Sequence, residues 1–251
     1  MYSIEVTYHT GGKRKIYGRS YIPELDGKMP LILCAHRYGE TADIWEPYAI
    51  RLVETGYMVH AIDLGGACAA SRSEGETWEM TVSTEVEDLL CALDSLLKDS
   101  RIDTNRIYLM GASQGGVVSA LAAAQRTKNI AGLILLFPAF VIPYMVRSFF
   151  SRIEDIPERY DLWDVTLGKN YFLEAYNADY YKQIGAYTGK VLLLHGNKDQ
   201  AVPHGFSKRA LKYYPEAQLH IIEGADHGFE GEQFEEAITA IHTFLKTTRN
   251  P

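Results

Sequence analysis

The sequence lacks several features that define whole classes of protein. It has only three cysteines among 251 residues. None forms a Cys-x-x-Cys pair, which argues against a disulfide framework and against a zinc site of the usual spacing. Basic residues are outnumbered, 25 Lys and Arg against 32 Asp and Glu, and the net charge of -7 disfavours nucleic acid or an anionic membrane as a partner. We therefore expect a protein of a reducing compartment, the cytoplasm.

Long apolar runs and nucleotide-binding motifs are also missing. The longest apolar stretch, residues 130–146, is interrupted by Pro138 and Pro143, which suits a buried strand running into a loop better than a membrane span. The first residues have no basic flank before an apolar core, so we expect no secretory signal. Gly65-Gly66 matches no dinucleotide or phosphate-binding motif, and the histidines lack zinc-type spacing. We expect no cofactor and no metal.

The chain does contain short apolar segments that alternate with helical patterns. Continuous apolar runs, such as residues 31–35, indicate strands that helices cover on both faces. Residues 85–98 place leucines at helical spacing, with acids towards the start. The other predicted strands are residues 4–8, 15–22, 57–62, 107–110, 130–137, 190–195 and 218–222, and the other predicted helices are residues 45–55 and 234–246. This alternation predicts a single α/β domain over residues 1–251, with a mostly parallel, doubly wound sheet.

The stretch Gly111-Ala112-Ser113-Gln114-Gly115-Gly116 joins a predicted strand to a predicted helix. A serine between two glycines in this context is typical of a nucleophile elbow, because the tight turn leaves no room for neighbouring side chains and projects the serine oxygen above the sheet. The alternative is an ordinary glycine-rich turn. The choice depends on whether partners for Ser113 follow later in the chain.

The loops after the last two predicted strands each offer one such partner. Asp199 and His227 follow Ser113 in the order Ser, Asp, His, and loops at the carboxyl ends of parallel strands lie together. We predict that Ser113 is the nucleophile, that His227 is the base and then the acid, and that Asp199 holds the imidazole tautomer. Asp226 is expected to cap its turn, and Asp63 is the second choice of acid.

With these motifs the chain resembles the α/β hydrolases, and among them the bacterial feruloyl or cinnamoyl esterases. The resemblance rests on the elbow, on residues 156–158 and 161–164, on residues 194–203 and on residues 225–229. It implies an α/β-hydrolase fold and a serine esterase that cleaves hydroxycinnamate esters. It also implies a small lid subdomain inserted after the sixth strand, here residues 138–187, that forms one wall of the substrate pocket.

The resemblance further implies an oxyanion hole made by the backbone amides of Tyr38 and Gln114. The family has glycine where this chain has Arg37, in His36-Arg37-Tyr38-Gly39. If that position requires a positive φ, we expect Arg37 to be strained and the loop to be displaced. The Arg37 side chain is expected at the pocket mouth, where its charge favours esters with an acidic alcohol portion.

The predicted insert is rich in aromatic residues, most of which we expect to form its own small core. Trp163 and Asp164 are the predicted substrate-binding pair, because an aryl ring can stack on indole while a phenolic hydroxyl needs a polar acceptor. The sequence thus favours a serine carboxylic ester hydrolase that acts on hydroxycinnamoyl or similar aryl esters through an acyl-enzyme. Its expected partner is the small-molecule ester; the oligomeric state stays open, a homodimer included.

Two alternatives remain at this point. The same three residues can serve a short-chain acyl esterase, a thioesterase or a peptidase. A non-catalytic binding protein on the same fold is the other alternative, since fold alone does not determine function. Such a protein has no need of an intact Ser113, Asp199 and His227, so their joint presence weighs against it.

Overall fold

The computed structural model describes residues 1–248 and is built around a central sheet of eight strands. Residues 249–251, which the predicted domain includes, lie outside the described residues. The strands of this sheet are β1 (Tyr2–His9), β2 (Ile16–Pro23), β3 (Met29–Ala35), β4 (Met58–Ile62), β5 (Ile102–Ala112), β6 (Gly132–Leu136), β9 (Lys190–Gly196) and β10 (Glu216–Ile222). Their order is β1-β2-β4-β3-β5-β6-β9-β10. The pairs β1–β2 and β2–β4 are antiparallel, and the other neighbours are parallel.

Helices cover both faces of this sheet. They are α1 (Glu46–Val53), α2 (Val82–Leu96), α3 (Gln114–Gln125), α4 (Ile142–Phe149), α5 (Lys169–Asn177), α6 (Tyr180–Ile184), α7 (Gly205–Ala210) and α8 (Gly231–Thr247), with 3₁₀ turns at Ala42–Trp45, Thr77–Glu79 and Ile153–Asp155. Along β3, Leu31 and Leu33 pack into the layer that holds α2 and α3, while Ile32 and Cys34 pack into the layer that holds α1 and α8. Burial on both faces is the reason that β3 is apolar without alternation.

The predicted strands and helices are present, with differences at their ends. Helix α2 begins at Val82, three residues before the predicted start, because Thr81 caps it. The Thr81 hydroxyl accepts a hydrogen bond from the Thr84 amide, and the Thr84 hydroxyl accepts one from the Thr81 amide. Strand β5 begins at Ile102, where polar residues precede its apolar part.

Residues 138–187 lie between β6 and β9 and form elements of their own. They contain α4, α5, α6 and an antiparallel hairpin of β7 (Arg159–Leu162) and β8 (Val165–Gly168). Aromatic rings pack among these elements, with Phe150 5.3 Å from Tyr160 and 5.4 Å from Phe172 between centroids. These contacts account for much of the aromatic content of the insert. Within residues 1–248, no helix is both long and apolar enough to cross a bilayer.

Candidate active site

Ser113 occupies the sharp turn between β5 and α3. Its φ of 53° and ψ of -119° are strained for a residue with a side chain. A Cβ added to Gly111 would lie 2.1 Å from the Gly115 carbonyl oxygen, and one added to Gly115 would lie 2.2 Å from the His36 carbonyl oxygen. The backbone segments therefore approach too closely for any residue but glycine at these two positions, as the elbow prediction requires.

Ser113, His227 and Asp199 form a continuous chain of hydrogen bonds. Since a carboxylate only accepts, His227 Nδ1 donates to Asp199 Oδ2 at 2.8 Å. His227 Nε2 is then free to accept the proton of Ser113 Oγ, which lies 2.9 Å away. This arrangement can deprotonate the serine as it attacks a carbonyl carbon.

The Asp199 carboxylate is buried and held by two further donors. The Val202 amide donates to Oδ1 at 2.7 Å, and His195 Nε2 lies 3.2 Å from Oδ2. Burial by itself raises the pKa of Asp199, but hydrogen bonds from His195, His227 and the Val202 amide outweigh it and hold the pKa below the usual value. Asp199 is thus held as a carboxylate, the form that orients His227.

His195 contacts Asp199, and the sequence pattern does not predict this contact. It is fully buried at the end of β9, where its Nε2 also donates to the Val202 carbonyl at 2.7 Å. Its Nδ1 therefore accepts from the Ser207 hydroxyl at 2.8 Å. The available signal was position, because His195 stands four residues before Asp199 on the strand that leads into the same loop.

The two other acids considered from the sequence have structural partners. Asp226 Oδ1 accepts from the amides of His227 and Gln200, at 2.9 and 3.3 Å, and so caps its turn. Asp63 is fully buried and accepts from Arg72 Nε at 2.7 Å and from the Ala42 amide at 2.8 Å. Neither side chain joins the hydrogen-bonded chain that contains Ser113.

Phe137 supports the imidazole from the side. It follows β6 with a φ of 37°, and its ring centroid lies 4.7 Å from that of His227 and 5.2 Å from that of Phe229. The Phe137 amide donates to the Leu194 carbonyl at 2.7 Å, which fixes the strained backbone to the neighbouring strand β9. These contacts restrict the orientations that the His227 ring can adopt.

The loop after β3 carries Arg37, the residue at which this chain differs from the family pattern. The prediction that Arg37 is strained is wrong, because the residue of this loop with a positive φ is Gly39, at 72°. Gly39 lies in a turn that the Glu40 amide closes by donating to the Arg37 carbonyl at 3.3 Å. His36 anchors the loop, since its Nδ1 donates to the Arg37 carbonyl at 2.7 Å and its Nε2 accepts from the Leu64 amide at 2.9 Å. Burial lowers the pKa of His36 to about 4, so it remains neutral.

The two amides implied for the oxyanion hole are those of Tyr38, in this loop, and of Gln114, the first residue of α3. Within residues 1–248, neither amide donates to a protein acceptor. Both residues line the cavity above Ser113. Free N–H groups beside a nucleophile are what stabilisation of a tetrahedral oxyanion requires.

This cavity has a volume of about 310 Å³, which is within the range of small-molecule sites. Ser113 and His227 lie on its floor, and the insert supplies an apolar wall that includes Val141, Ile142, Met145 and Leu162. Arg37 and Glu40 also line it, and Arg37 Nη2 donates to Glu40 Oε1 at 3.1 Å. The guanidinium expected at the pocket mouth is therefore already paired.

Trp163 and Asp164 form the two-residue turn between β7 and β8, and they diverge. Trp163 lines the cavity, is 69% exposed, and packs edge-on against Tyr38 with centroids 5.4 Å apart. Its φ of 50° occupies a turn position at which glycine is usual. Asp164 is exposed and outside the cavity lining, which contradicts its predicted role as the pocket acceptor. Gln114 and Tyr171 are further polar residues that line the cavity.

Comparison with known proteins identifies a family and several similar proteins. A family model described as serine aminopeptidase, S33, matches residues 28–180. Monoglyceride lipase of Homo sapiens is 35% identical over 111 residues, which cover 43% of this chain and 34% of that protein. Prolyl endopeptidase FAP of Homo sapiens is 28% identical over 166 residues, 64% of this chain and 21% of that protein. The matched region thus spans about a third or less of each of these relatives.

A solved structure matches over nearly the whole chain. Est1E from Butyrivibrio proteoclasticus, with ferulic acid bound, superposes with a TM-score of 0.85 and 26% identity, covering 96% of this chain and 98% of that chain. The predicted α/β-hydrolase fold is confirmed, as is the resemblance to serine esterases of that fold.

Proposed function

Because the chain belongs to the serine aminopeptidase S33 family of α/β hydrolases, we propose that it is a serine carboxylic ester hydrolase acting on hydroxycinnamoyl or similar aryl esters through an acyl-enzyme. The observation that supports this most is the position of the hydrogen-bonded Ser113–His227–Asp199 chain on the floor of an apolar cavity.

In the proposed acylation step, Ser113 Oγ attacks the ester carbonyl carbon while its proton passes to His227 Nε2. Asp199 stabilises the imidazolium that forms, and the oxyanion accepts hydrogen bonds from the amides of Tyr38 and Gln114. His227 then gives the proton to the departing alcohol oxygen, which leaves Ser113 acylated. A water molecule, deprotonated by His227, hydrolyses the acyl-enzyme, releases the carboxylic acid and restores the serine.

The aryl preference rests on the composition of the cavity. Tyr38 and Trp163 present aromatic surface beside Ser113, and the aliphatic wall from the insert continues it. Tyr171 lines this cavity, and its hydroxyl, which donates to Gln114 Oε1, can still accept a hydrogen bond from a phenol, a role the exposed Asp164 does not fill. The likeness to Est1E, solved with ferulic acid bound, supports the same substrate class.

The class of reaction is tested with Ser113→Ala. We expect loss of nearly all hydrolysis of p-nitrophenyl acetate and loss of labelling by a fluorophosphonate, with an unchanged circular dichroism spectrum. In serine proteases, binding and the oxyanion amides alone sustain a rate about 10³- to 10⁴-fold above the uncatalysed reaction, which is about 10⁶-fold below the wild-type kcat. Turnover close to that of wild type in Ser113→Ala would show that another nucleophile acts.

The acyl preference is tested by comparing methyl ferulate with p-nitrophenyl acetate in Trp163→Ala. If the indole stacks on the aryl group, kcat/KM for the ferulate ester falls by about two- to tenfold while that for acetate is nearly unchanged, since an aromatic contact contributes about 0.5 to 1.5 kcal/mol. Trp78→Ala is the matched control, because Trp78 is also partly exposed but lies outside the cavity lining. Equal losses on both esters would move the assignment to a short-chain esterase.

A peptidase is the second candidate, favoured by the family description and by the match to prolyl endopeptidase FAP. An aminopeptidase needs a carboxylate for the free amino group of its substrate. Among the described residues that line the cavity, Glu40 is the one residue with a carboxylate. This carboxylate already forms a salt bridge with Arg37. Turnover of aminoacyl p-nitroanilides above that of the aryl esters would favour the peptidase.

A further inference from the structure

Three polar side chains form a buried chain directly behind the elbow. Glu85 on α2 is 1% exposed and accepts a hydrogen bond from Gln114 Nε2 at 2.8 Å. Gln114 Oε1 in turn accepts from the Tyr171 hydroxyl at 2.7 Å. The chain therefore joins a core helix, the helix that starts at the nucleophile, and helix α5 of the insert.

Gln114 is held at both ends of its side-chain amide. The carboxyl of Glu85 fixes the nitrogen and the phenol of Tyr171 fixes the oxygen, so the amide cannot rotate without breaking both bonds. The backbone N–H of the same residue is one of the two donors proposed for the oxyanion. Loss of a donor of this kind lowers kcat by about 10²- to 10³-fold, and a donor contributes only when it is correctly placed.

We propose, on the basis of the ester hydrolysis proposed above, that Glu85 is a positioning residue that fixes Gln114 and whose negative charge, when present, opposes formation of the oxyanion. Glu85 does not line the cavity above Ser113. It acts through Gln114, and its charge is separated from the oxyanion site by that single residue.

The surroundings of Glu85 favour its neutral form. Burial raises the pKa of Glu85 to about 8, the hydrogen bond from Gln114 works against this, and the charges of Asp88 and Glu174 reinforce it. The titratable and charged groups that face Glu85 are Arg14, Tyr38, Asp88, Tyr171, Glu174 and Tyr180. The tyrosines of this set have raised pKa values too, chiefly through burial, so they remain neutral where Glu85 ionises.

Glu85 is thus mainly neutral at neutral pH and ionises in mildly alkaline solution. A carboxylate behind Gln114 then repels the negative charge that develops on the ester oxygen in the transition state. The neutral ester of the ground state carries no such charge, so kcat should fall while KM stays nearly constant.

The decisive variant is Glu85→Gln, which keeps an oxygen to accept from Gln114 Nε2 but cannot ionise. We expect the kcat of wild type on p-nitrophenyl acetate to fall at least about fivefold between about pH 7 and about pH 9.5, as the pH dependence of kcat reports ionisation in the bound enzyme. Glu85→Gln should keep its kcat across this range. Glu87→Gln is the matched control, because Glu87 lies on the same helix but pairs with Lys13 at the surface, and it should retain the wild-type fall.

A second variant tests positioning apart from charge. Glu85→Ala leaves Gln114 Nε2 without its acceptor, so kcat at about pH 7 should fall at least about tenfold with little change in KM, whereas Glu85→Gln restores it. Rates of Ser113→Ala are subtracted throughout to remove spontaneous hydrolysis.

Coincident pH profiles for wild type and Glu85→Gln would overturn the proposal about Glu85 and leave the ester hydrolysis intact. Full turnover of Glu85→Ala at about pH 7 would do the same. Absence of fluorophosphonate labelling and of turnover in wild type would overturn the proposed function itself, and with it the role of Glu85.

Discussion

Replacement of Asp199 by asparagine tests how the acid controls the base. The Val202 amide donates to Asp199 Oδ1, so an asparagine in this position must turn its carbonyl oxygen towards Val202. Its NH₂ group then faces His227 Nδ1 and His195 Nε2. A donor opposite His227 Nδ1 forces that nitrogen to accept, and the ring proton moves to Nε2. The imidazole then presents a donor to Ser113 and can no longer take its proton.

The magnitude follows from this loss of tautomer. In serine proteases the equivalent change lowers kcat by about 10⁴-fold, which corresponds to about 5 kcal/mol of transition-state stabilisation. Here His195 adds a second conflict, because its Nε2–H would face the same NH₂ group. We therefore expect a fall in kcat of at least about 10⁴-fold for Asp199→Asn, together with a small loss of stability.

The assay is steady-state hydrolysis of p-nitrophenyl acetate and methyl ferulate, with thermal unfolding to confirm that the variant is folded. Asp226→Asn is the matched control, because Asp226 lies beside His227 and its carboxylate accepts from the backbone amides of His227 and Gln200, and its turnover should stay within about threefold of wild type. Turnover of Asp199→Asn within about tenfold of wild type would refute the reasoning. A large loss in Asp63→Asn with an active Asp199→Asn would identify a different acid.

Three further predictions concern groups around the site. Gly115→Ala should lower the Tm by at least about 5 °C, because its Cβ would meet backbone oxygens, whereas Gly11→Ala, with open space around it, should not. The ratio of activity on esters with an acidic alcohol portion to activity on neutral esters should fall in Arg37→Gly. It should rise in Glu40→Gln, because Glu40 pairs with Arg37 and this variant frees the guanidinium. Unchanged ratios in both variants would exclude a role of Arg37 in substrate selection. Because the pKa of Glu85 is raised, its contribution to stability is complete below about pH 4.3 and is lost as pH rises through about 8. The Tm of Glu85→Gln minus the Tm of wild type should therefore increase from about pH 5 to about pH 8. A difference that stays constant over this range would contradict the raised pKa of Glu85.

The sheet could be predicted because its sequence signal is local. Strands such as β3 and β6 are apolar at every position, since each face meets helices, and that pattern needs no knowledge of the neighbours. The elbow could also be predicted, because its serine and glycines are contiguous in the sequence. Gly111 is required by a contact inside the turn, with the Gly115 carbonyl oxygen, whereas Gly115 is required by its approach to the His36 carbonyl oxygen. The ends of α2 and β5 were harder to predict, because helix caps and polar strand extensions show no apolar periodicity.

The pocket could not be predicted in the same way, because its lining comes from segments far apart in the chain. Tyr171 meets Gln114 across 57 residues, and no pattern at either position specifies the contact. The prediction for Asp164 rests on its chemistry and its place beside Trp163, but only Trp163 of this hairpin turn lines the cavity. His195 belongs to the same case, since its contact with Asp199 depends on the path of the loop that follows β9.

Backbone strain is concentrated where the proposed chemistry takes place. Within residues 1–248, the non-glycine residues with positive φ are Ser113, Phe137 and Trp163, and they respectively present the nucleophile, pack against His227 and line the cavity. Each such residue costs about 1 to 3 kcal/mol and persists only where its surroundings determine it. Ser113 and Phe137 are fixed by amide hydrogen bonds to Leu136 and Leu194, on the central strands β6 and β9. Loss of order at the carboxyl ends of β6 and β9 should therefore abolish activity before the rest of the fold unfolds.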